Sequence, residues 1–164
     1  MSAVAVKLDD AQAQALLQRL ADVVANPARP LSLAAMTLRR LVHDTFRDQQ
    51  DPWGRPWTPH APATRALRNR VNAGLNILFD TGAMAGNVEA RADANSVEVT
   101  VGADYASYHQ FGDPNHTFFG RPSAPLPQRA FLPVRSPGVA AIPAPWWLEI
   151  LLPVEAALAR AGGK

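Results

Sequence analysis

The sequence predicts an α+β fold in which an N-terminal helical hairpin packs on a small antiparallel sheet, followed by a long Pro-rich loop and a C-terminal helical segment. Apolar residues recur at helical spacing before residue 50, and the pattern changes to strict alternation between residues 87 and 101. The chain has 164 residues, of which 48% are hydrophobic and 18% charged, a composition typical of a globular domain. We therefore expect one domain over 1–164, with 1–30 and 137–164 as peripheral arms.

Two helices are predicted at the N-terminus. The first begins at Asp9 or Asp10, either of which can cap a helix, and is stopped by Pro27 and Pro30. Its apolar stripe consists of Ala13, Leu16, Leu17, Leu20 and Val24. The second is predicted over 32–49, with an inward face of Ala34, Leu38, Leu41, Val42, Thr45 and Phe46. Two amphipathic helices with a short joint predict an α-hairpin.

The next segment, 51–62, holds four prolines and two tryptophans, so little regular structure is expected there. Trp53 and Trp57 either anchor this loop to the core or offer an apolar anchor to a partner protein, and the first interpretation is favoured. A short basic helix is predicted over 64–72.

A β-hairpin is predicted from 87–92 and 97–101, because valines and alanines alternate with polar residues on both sides of a turn. Residues 103–110 are predicted to form one or two helical turns that place Tyr105, Tyr108 and Phe111 on one edge. That aromatic edge is expected to seal the sheet. Residues 128–134 are expected to add a third strand, on which Arg129 would point away from the core.

Two glycines mark turns on either side of this region. Gly82 follows Asp80 and Thr81 in a turn or helix-cap signature, and Gly112 is expected to close the helical turns in a left-handed conformation. The long loop 113–126 is rich in proline and is expected to be functional.

The C-terminal segment, 145–160, is predicted to be helical, with Pro145 in the first turn and a break at Pro153. Trp146 and Trp147 begin a stretch that is apolar nearly all round, so it is buried either in the core or by a neighbouring copy. Because it contains Pro153 and two glutamates, this stretch is too short and too charged to span a bilayer, and no membrane partner is expected.

Enzymatic chemistry finds little support in the sequence, and no enzyme activity, catalytic residue, metal site or cofactor is predicted. The chain has no cysteine, and its four histidines lack the spacing of metal ligands. A nucleophile elbow and a phosphate-binding glycine loop are also absent from the sequence. The weak enzymatic alternative is a small hydrolase that uses His109 with Asp104 or Asp113. We expect His109 to pack beside Tyr105 and Phe111 and to hydrogen-bond the backbone.

Arginines cluster in a stretch without acidic residues between Asp51 and Asp80. Arg55, Arg65, Arg68 and Arg70 lie there and can meet a phosphate backbone or an acidic protein surface, although such clusters are more often simply solvated.

Four short motifs occur in order along the chain: P-W-G-R-P-W at 52–57, D-T-G-A-M at 80–84, Y-A-S-Y-H-Q-F-G at 105–112 and P-Q-R-A-F-L at 127–132. In this order and spacing they resemble the phage virion morphogenesis (tail completion) family, typified by Mu-like phages. The block at 105–112 is the most specific of the four. The residues that carry the resemblance are Trp53, Trp57, Thr81, Gly82, Tyr105, His109, Phe111, Gly112, Arg129 and Phe131.

The resemblance implies a structural protein of the virion, assembled in the bacterial host cytoplasm and located at the head–tail junction. It would complete the tail, or join tail to head, as a homo-oligomeric ring, most often a hexamer, around the DNA channel. Its partners would be further copies, tail tube or terminator proteins, head-side connector or stopper proteins, and passing genomic DNA without sequence specificity. The alternative is a DNA-contacting module of the connector that uses the clustered arginines. Candidate interface residues are Phe118, Phe119, Trp146 and Trp147.

Overall fold

The computed structural model describes residues 18, 21, 22, 25–71, 76–93, 95–137 and 139–161. It confirms the α+β class. The helices are α1 (Ala28–Asp48), α2 (Pro62–Val71), α3 (Ala83–Gly86), α4 (Ala106–Phe111) and α5 (Ala144–Ala161). The strands are β1 (Val88–Ala92), β2 (Val97–Val101), β3 (Thr117–Phe118), β4 (Arg121–Pro122), β5 (Val134–Ser136) and β6 (Val139–Ala140).

Helix α1 is the centre of the core, and its inward face contains every residue predicted for it. It begins at Ala28, before the predicted start at residue 32, so Pro30 lies inside its first turn. Proline is tolerated there because the first N–H groups of a helix have no partner within the helix. Most of the predicted preceding helix lies outside the described residues, although Gln18, Ala21, Asp22 and Ala25 are helical.

The predicted hairpin is confirmed, with β1 and β2 antiparallel and Val88 opposite Val101. Val88 is fully buried against α1, and the other inward valines are half-buried. The Arg39 Nε donates a hydrogen bond of 2.8 Å to the Val88 carbonyl, which fixes α1 on the sheet.

The predicted third strand at 128–134 is wrong. The described strands form three separate two-stranded sheets, and only Val134 of this segment belongs to one of them, where it pairs with Ala140. Residues 128–133 instead run beside α4 without regular structure. There the Gln110 side-chain oxygen accepts hydrogen bonds from the amides of Phe131 (3.0 Å) and Leu132 (2.9 Å).

The predicted aromatic seal is also wrong. Tyr105 and Tyr108 are exposed, and Phe111 is half-buried outside the core. The aromatic side chain buried beside α4 is Phe131, whose ring centroid lies 5.3 Å from that of Phe46.

Helix α5 packs against α1 through the buried side chains of Trp146 and Ile150. Arg40 of α1 forms an ion pair with Glu149 of α5. The predicted break at Pro153 is wrong, because α5 continues through it to Ala161. Proline removes one backbone hydrogen bond from a helix, and here the helix persists on both sides of it.

Candidate binding cavity at the converging motifs

Residues of three motifs that are distant in the sequence line one cavity of about 700 Å³. Thr81 and Gly82 come from the turn before α3, Tyr105 and His109 from α4 and the residue preceding it, and Arg129 from the segment beside it. Helix α2 and the end of the Trp/Pro loop complete the wall with Leu67, Arg68 and His60. The fold therefore brings residues of three of the four motifs to a single concave site.

Arg129 is buried in the wall of this cavity, with only 5% of its surface exposed, so the prediction that it points away from the core is wrong. Its Nε donates to the Thr58 carbonyl at 2.9 Å and its Nη2 to the Pro59 carbonyl at 3.3 Å. Strand alternation does not apply to it because residues 128–133 form no strand. Burial, and then the charge of Arg68, lower the pKa of Arg129. Arg129 takes part in none of the ion pairs of the described residues.

Arg68 is the second cation of the cavity and is held by three hydrogen bonds. Its Nη1 donates to His60 Nε2 at 2.9 Å, and its Nη2 donates to the Phe79 carbonyl at 3.0 Å and the Asp80 carboxylate at 3.2 Å. Only 18% of its side chain is exposed. Because a guanidinium can only donate, His60 Nε2 accepts this bond, and the proton of the neutral ring lies on Nδ1.

His109 packs edge-on against Tyr105, with ring centroids 6.1 Å apart, as predicted. Its Nδ1 is buried without a hydrogen-bond partner among the described residues. The sequence predicts a hydrogen bond between the imidazole ring and the backbone. In the structure it is the backbone carbonyl of His109, not its ring, that accepts a hydrogen bond, from the Arg129 amide at 2.7 Å. Burial, and then the charge of Arg129, lower the pKa of His109.

The electrostatic character of the cavity follows from these shifts. Burial followed by the charges of Arg129, Arg68 and Arg65 also lowers the pKa of His60, so both histidines are neutral at pH 7 and the two lining arginines carry the positive charge. The only carboxylate among the described lining residues is Asp80, which is mostly exposed and bonded to Arg68. The arrangement can bind an anionic group, with apolar side chains around its mouth.

The hydrolase alternative gains no catalytic pairing from the geometry. The Asp113 carboxylate lies 3.5 Å from His116 Nδ1 rather than beside His109. Among the described residues, no cluster of three or more histidine, aspartate or glutamate side chains could hold a metal ion.

The glycines of the motifs have the conformations that their positions require. Gly82, at the N-cap of α3, has a φ of 78°. Gly112 has a φ of 77° but a ψ of 167°, so it ends α4 by turning the chain into an extended direction rather than into the predicted left-handed helical turn.

Substitution of Gly112 by alanine is expected to lower the free energy of unfolding by about 1–3 kcal/mol. A Cβ atom there would lie 3.1 Å from both the Gln128 amide nitrogen and the Leu126 carbonyl oxygen, in addition to the cost of the positive φ. Gly86→Ala is the matched control, because nothing lies within 4 Å of the position that its Cβ atom would occupy and its φ is not in the left-handed region. Urea unfolding measures both, and equal midpoints would contradict the expectation.

The two tryptophans of the Trp/Pro loop have different surroundings. Trp57 is buried, contacts Phe46 edge-on and donates from Nε1 to the Ala130 carbonyl at 2.8 Å, which confirms that the loop is anchored to the core. Trp53 is half-buried, with the Arg135 guanidinium 5.2 Å from its ring centroid.

The arginine cluster does not form one described surface. Arg55 and Arg65 are exposed, Arg68 faces the cavity, and the side chain of Arg70 lies outside the described part.

The candidate interface aromatics also lie in different places. Trp146 is buried in the core, whereas Trp147 is exposed. Phe119 is 89% exposed at the tip of the β3–β4 hairpin, and the Phe118 side chain lies outside the described part.

One important residue was missing from the predicted set. Gln110 is buried and donates from Nε2 to the carbonyls of Leu132 and Val134, both at 3.1 Å, besides accepting from two amides. In the sequence Gln110 is a polar residue within the most specific motif. Only the structure shows that its side chain binds the backbone of the segment beside α4.

A model of the phage virion morphogenesis family matches residues 8–143 of the chain. Searches of curated proteins and of solved structures gave no significant match. Among the described residues, no helix has the length and apolarity needed to cross a membrane.

Proposed function

The chain belongs to the phage virion morphogenesis family and so has a structural role in phage assembly, and we propose that it acts in the neck of the virion. There it completes the tail, or joins the tail to the filled head, as a ring of copies around the DNA channel, and a hexamer is expected. Tail tube or terminator proteins and head-side connector or stopper proteins are its neighbours in this proposal.

The observation that carries the proposal is the family match over 8–143, which includes all four motifs. The cavity supports a binding role for these motifs. Its two arginines, the buried Arg129 and the half-buried Arg68, are held by carbonyl and side-chain acceptors and are not placed beside a nucleophile. A structural protein needs surfaces that recognise neighbours, and a cationic cavity with an apolar mouth is such a surface.

A ring requires that one face of each subunit meets a different face of the next. Helix α5 offers such a face, because Trp147, Leu148, Leu151 and Leu152 are exposed on it. Exposed apolar groups this close together are typical of protein interfaces.

The proposal is tested by locating and counting the protein in finished phage particles. Quantitative mass spectrometry is expected to find roughly six copies per virion, and antibody labelling is expected to mark the head–tail junction. Particles made without the protein should contain filled heads and tails that do not join, or tails that are incomplete. Absence from finished virions, or copies on the order of hundreds, would contradict a neck ring.

DNA contact is the competing function, supported by the exposed Arg55 and Arg65. It requires sequence-independent binding to duplex DNA that weakens steeply as salt rises. Because Arg68 is directed into the cavity, we expect weak binding to random duplex at both low and physiological salt. Tight binding with a steep salt dependence would favour the DNA-contacting module instead.

A further inference from the structure

The outward face of α5 is apolar, and its leucines are exposed. Leu148, Leu151, Leu152 and Leu158 are all exposed, and Leu148 is 70% exposed. At helical spacing these leucines lie away from Trp146 and Ile150, which bury the inner face on α1. We call these four residues the leucine face.

One carboxylate lies in the middle of the leucine face. Glu155 follows Leu151 by four residues and Leu152 by three, and it precedes Leu158 by three, so all three leucines are its neighbours on the helix surface. Glu155 is exposed and has no ion pair within the described ranges, whereas Glu149 of the same helix pairs with Arg40. The face is therefore apolar with a single unpaired negative charge.

The motif cavity has the complementary properties. Its wall contains Arg129 and Arg68, and its mouth contains the exposed apolar side chains of Leu67, Phe79 and Tyr105. A cation as buried as Arg129 without an ion pair gains most from an anion that excludes water when it binds. The apolar mouth requires that this anion be surrounded by apolar groups.

We propose that the cavity of one copy receives the leucine face of α5 from a second copy, with the Glu155 carboxylate directed at Arg68 and Arg129. An apolar helix face docking into a concave site is a common mode of protein recognition. The contact joins two different faces, so it is head-to-tail and propagates from copy to copy. This interface rests on the proposed ring and identifies the surfaces that form it.

A second copy fits the cavity better than duplex DNA or the α5 helix of the same subunit. Duplex DNA presents phosphates on a wide convex surface, which does not reach an arginine that is only 5% exposed behind an apolar mouth. The subunit's own α5 is fixed on α1 through its inner face, so the leucine face is turned outward from its own subunit.

The test is a charge exchange measured by sedimentation velocity over a range of protein concentrations. The unmodified protein is expected to self-associate as its concentration rises. Glu155→Arg and Arg68→Glu, each alone, are expected to weaken this association by roughly two orders of magnitude, because each places like charges in a desolvated contact. The double variant is expected to recover most of the association. Glu98→Arg, on the exposed face of β2, is the matched control and should associate like the unmodified protein.

Thermal unfolding of each variant shows whether it folds. If Arg68→Glu does not fold, Leu67→Asp replaces it, because Leu67 is exposed at the mouth and its change should weaken association without unfolding the chain. A protein that stays monomeric at about millimolar concentration overturns the inference, as does an association that neither Glu155→Arg nor Leu67→Asp weakens. A double variant no better than the single ones overturns the Glu155–Arg68 contact.

The same variants separate this inference from the proposed function. If Glu155→Arg protein still enters the neck and completes particles like the unmodified protein, the interface is wrong and the neck function stands. If the unmodified protein self-associates through Glu155 and Arg68 but is absent from virions, the interface stands and the neck function is wrong.

Discussion

Replacing Phe131 by alanine is expected to lower the free energy of unfolding by about 3–5 kcal/mol, as for other fully buried phenylalanines. The side chain is completely buried and packs against Phe46, which in turn contacts Trp57. Truncation therefore removes the ring contact between α1 and the segment beside α4. The surrounding rings are held by other elements, so we expect the space left by Phe131 to collapse only in part.

Urea unfolding followed by tryptophan fluorescence measures this loss, with Phe119→Ala as the matched control. Phe119 is almost fully exposed, so its truncation should change the free energy of unfolding by less than about 1 kcal/mol. Phe111→Ala should fall between the two, because Phe111 is half-buried outside the core. Equal losses for Phe131 and Phe119 would show that the core is assigned wrongly.

The elements that the sequence predicts well are those with a strong period. The inward face of α1 and the hairpin of β1 and β2 both follow from apolar spacing alone, and both are observed with the predicted residues. The hairpin turn is likewise local, since the Asp93 carboxylate accepts from the amides of Asn95 and Ser96.

The segment 128–134 shows where periodicity is insufficient. Arg129 and Ala130 alternate in polarity as neighbours on a strand do, but Pro127 and Pro133 limit the backbone donors of a ladder. The Gln110 side chain supplies the hydrogen bonds that a neighbouring strand would have supplied. Alternation then no longer decides which side chains face inward, and the three consecutive residues Arg129, Ala130 and Phe131 are all buried.

The candidate cavity could not be predicted, because its residues come together only through the tertiary fold. Arg68 contacts Asp80, and Arg129 lines the same cavity as His60, without any local pattern that links either pair in the sequence. The aromatic edge formed by Tyr105 and Tyr108 is a second case in which the local pattern does not reveal the tertiary environment. Helical spacing places Tyr105 and Tyr108 on one edge but does not show that this edge is exposed.

Gln110→Leu is expected to cost about 2–6 kcal/mol of unfolding free energy, because each buried amide left without an acceptor costs about 1–3 kcal/mol. The amides of Phe131 and Leu132 both lose their acceptor, and the carbonyls of Leu132 and Val134 lose their donor. Leucine fills a similar volume, so the loss reports the hydrogen bonds rather than a cavity. Gln128→Leu is the control, since Gln128 is exposed and its side chain makes one hydrogen bond, of 3.0 Å, to the Gln110 carbonyl.

Gln110→Glu separates the two halves of this network by pH. A carboxylate keeps the bonds from the two amides but faces two carbonyl oxygens to which it cannot donate, whereas the protonated acid can still donate to one of them. Burial and the two carbonyls raise the pKa of the introduced carboxyl, whereas the two amides lower it. We expect the first two effects to prevail, so that the pKa in the folded variant lies above its unfolded value of about 4.3. The folded state then binds more protons than the unfolded state, so stability should fall as pH rises from about 4 toward the raised pKa. If stability follows the same pH dependence in Gln110→Glu and Gln128→Glu, the Gln110 side chain does not hold the segment beside α4.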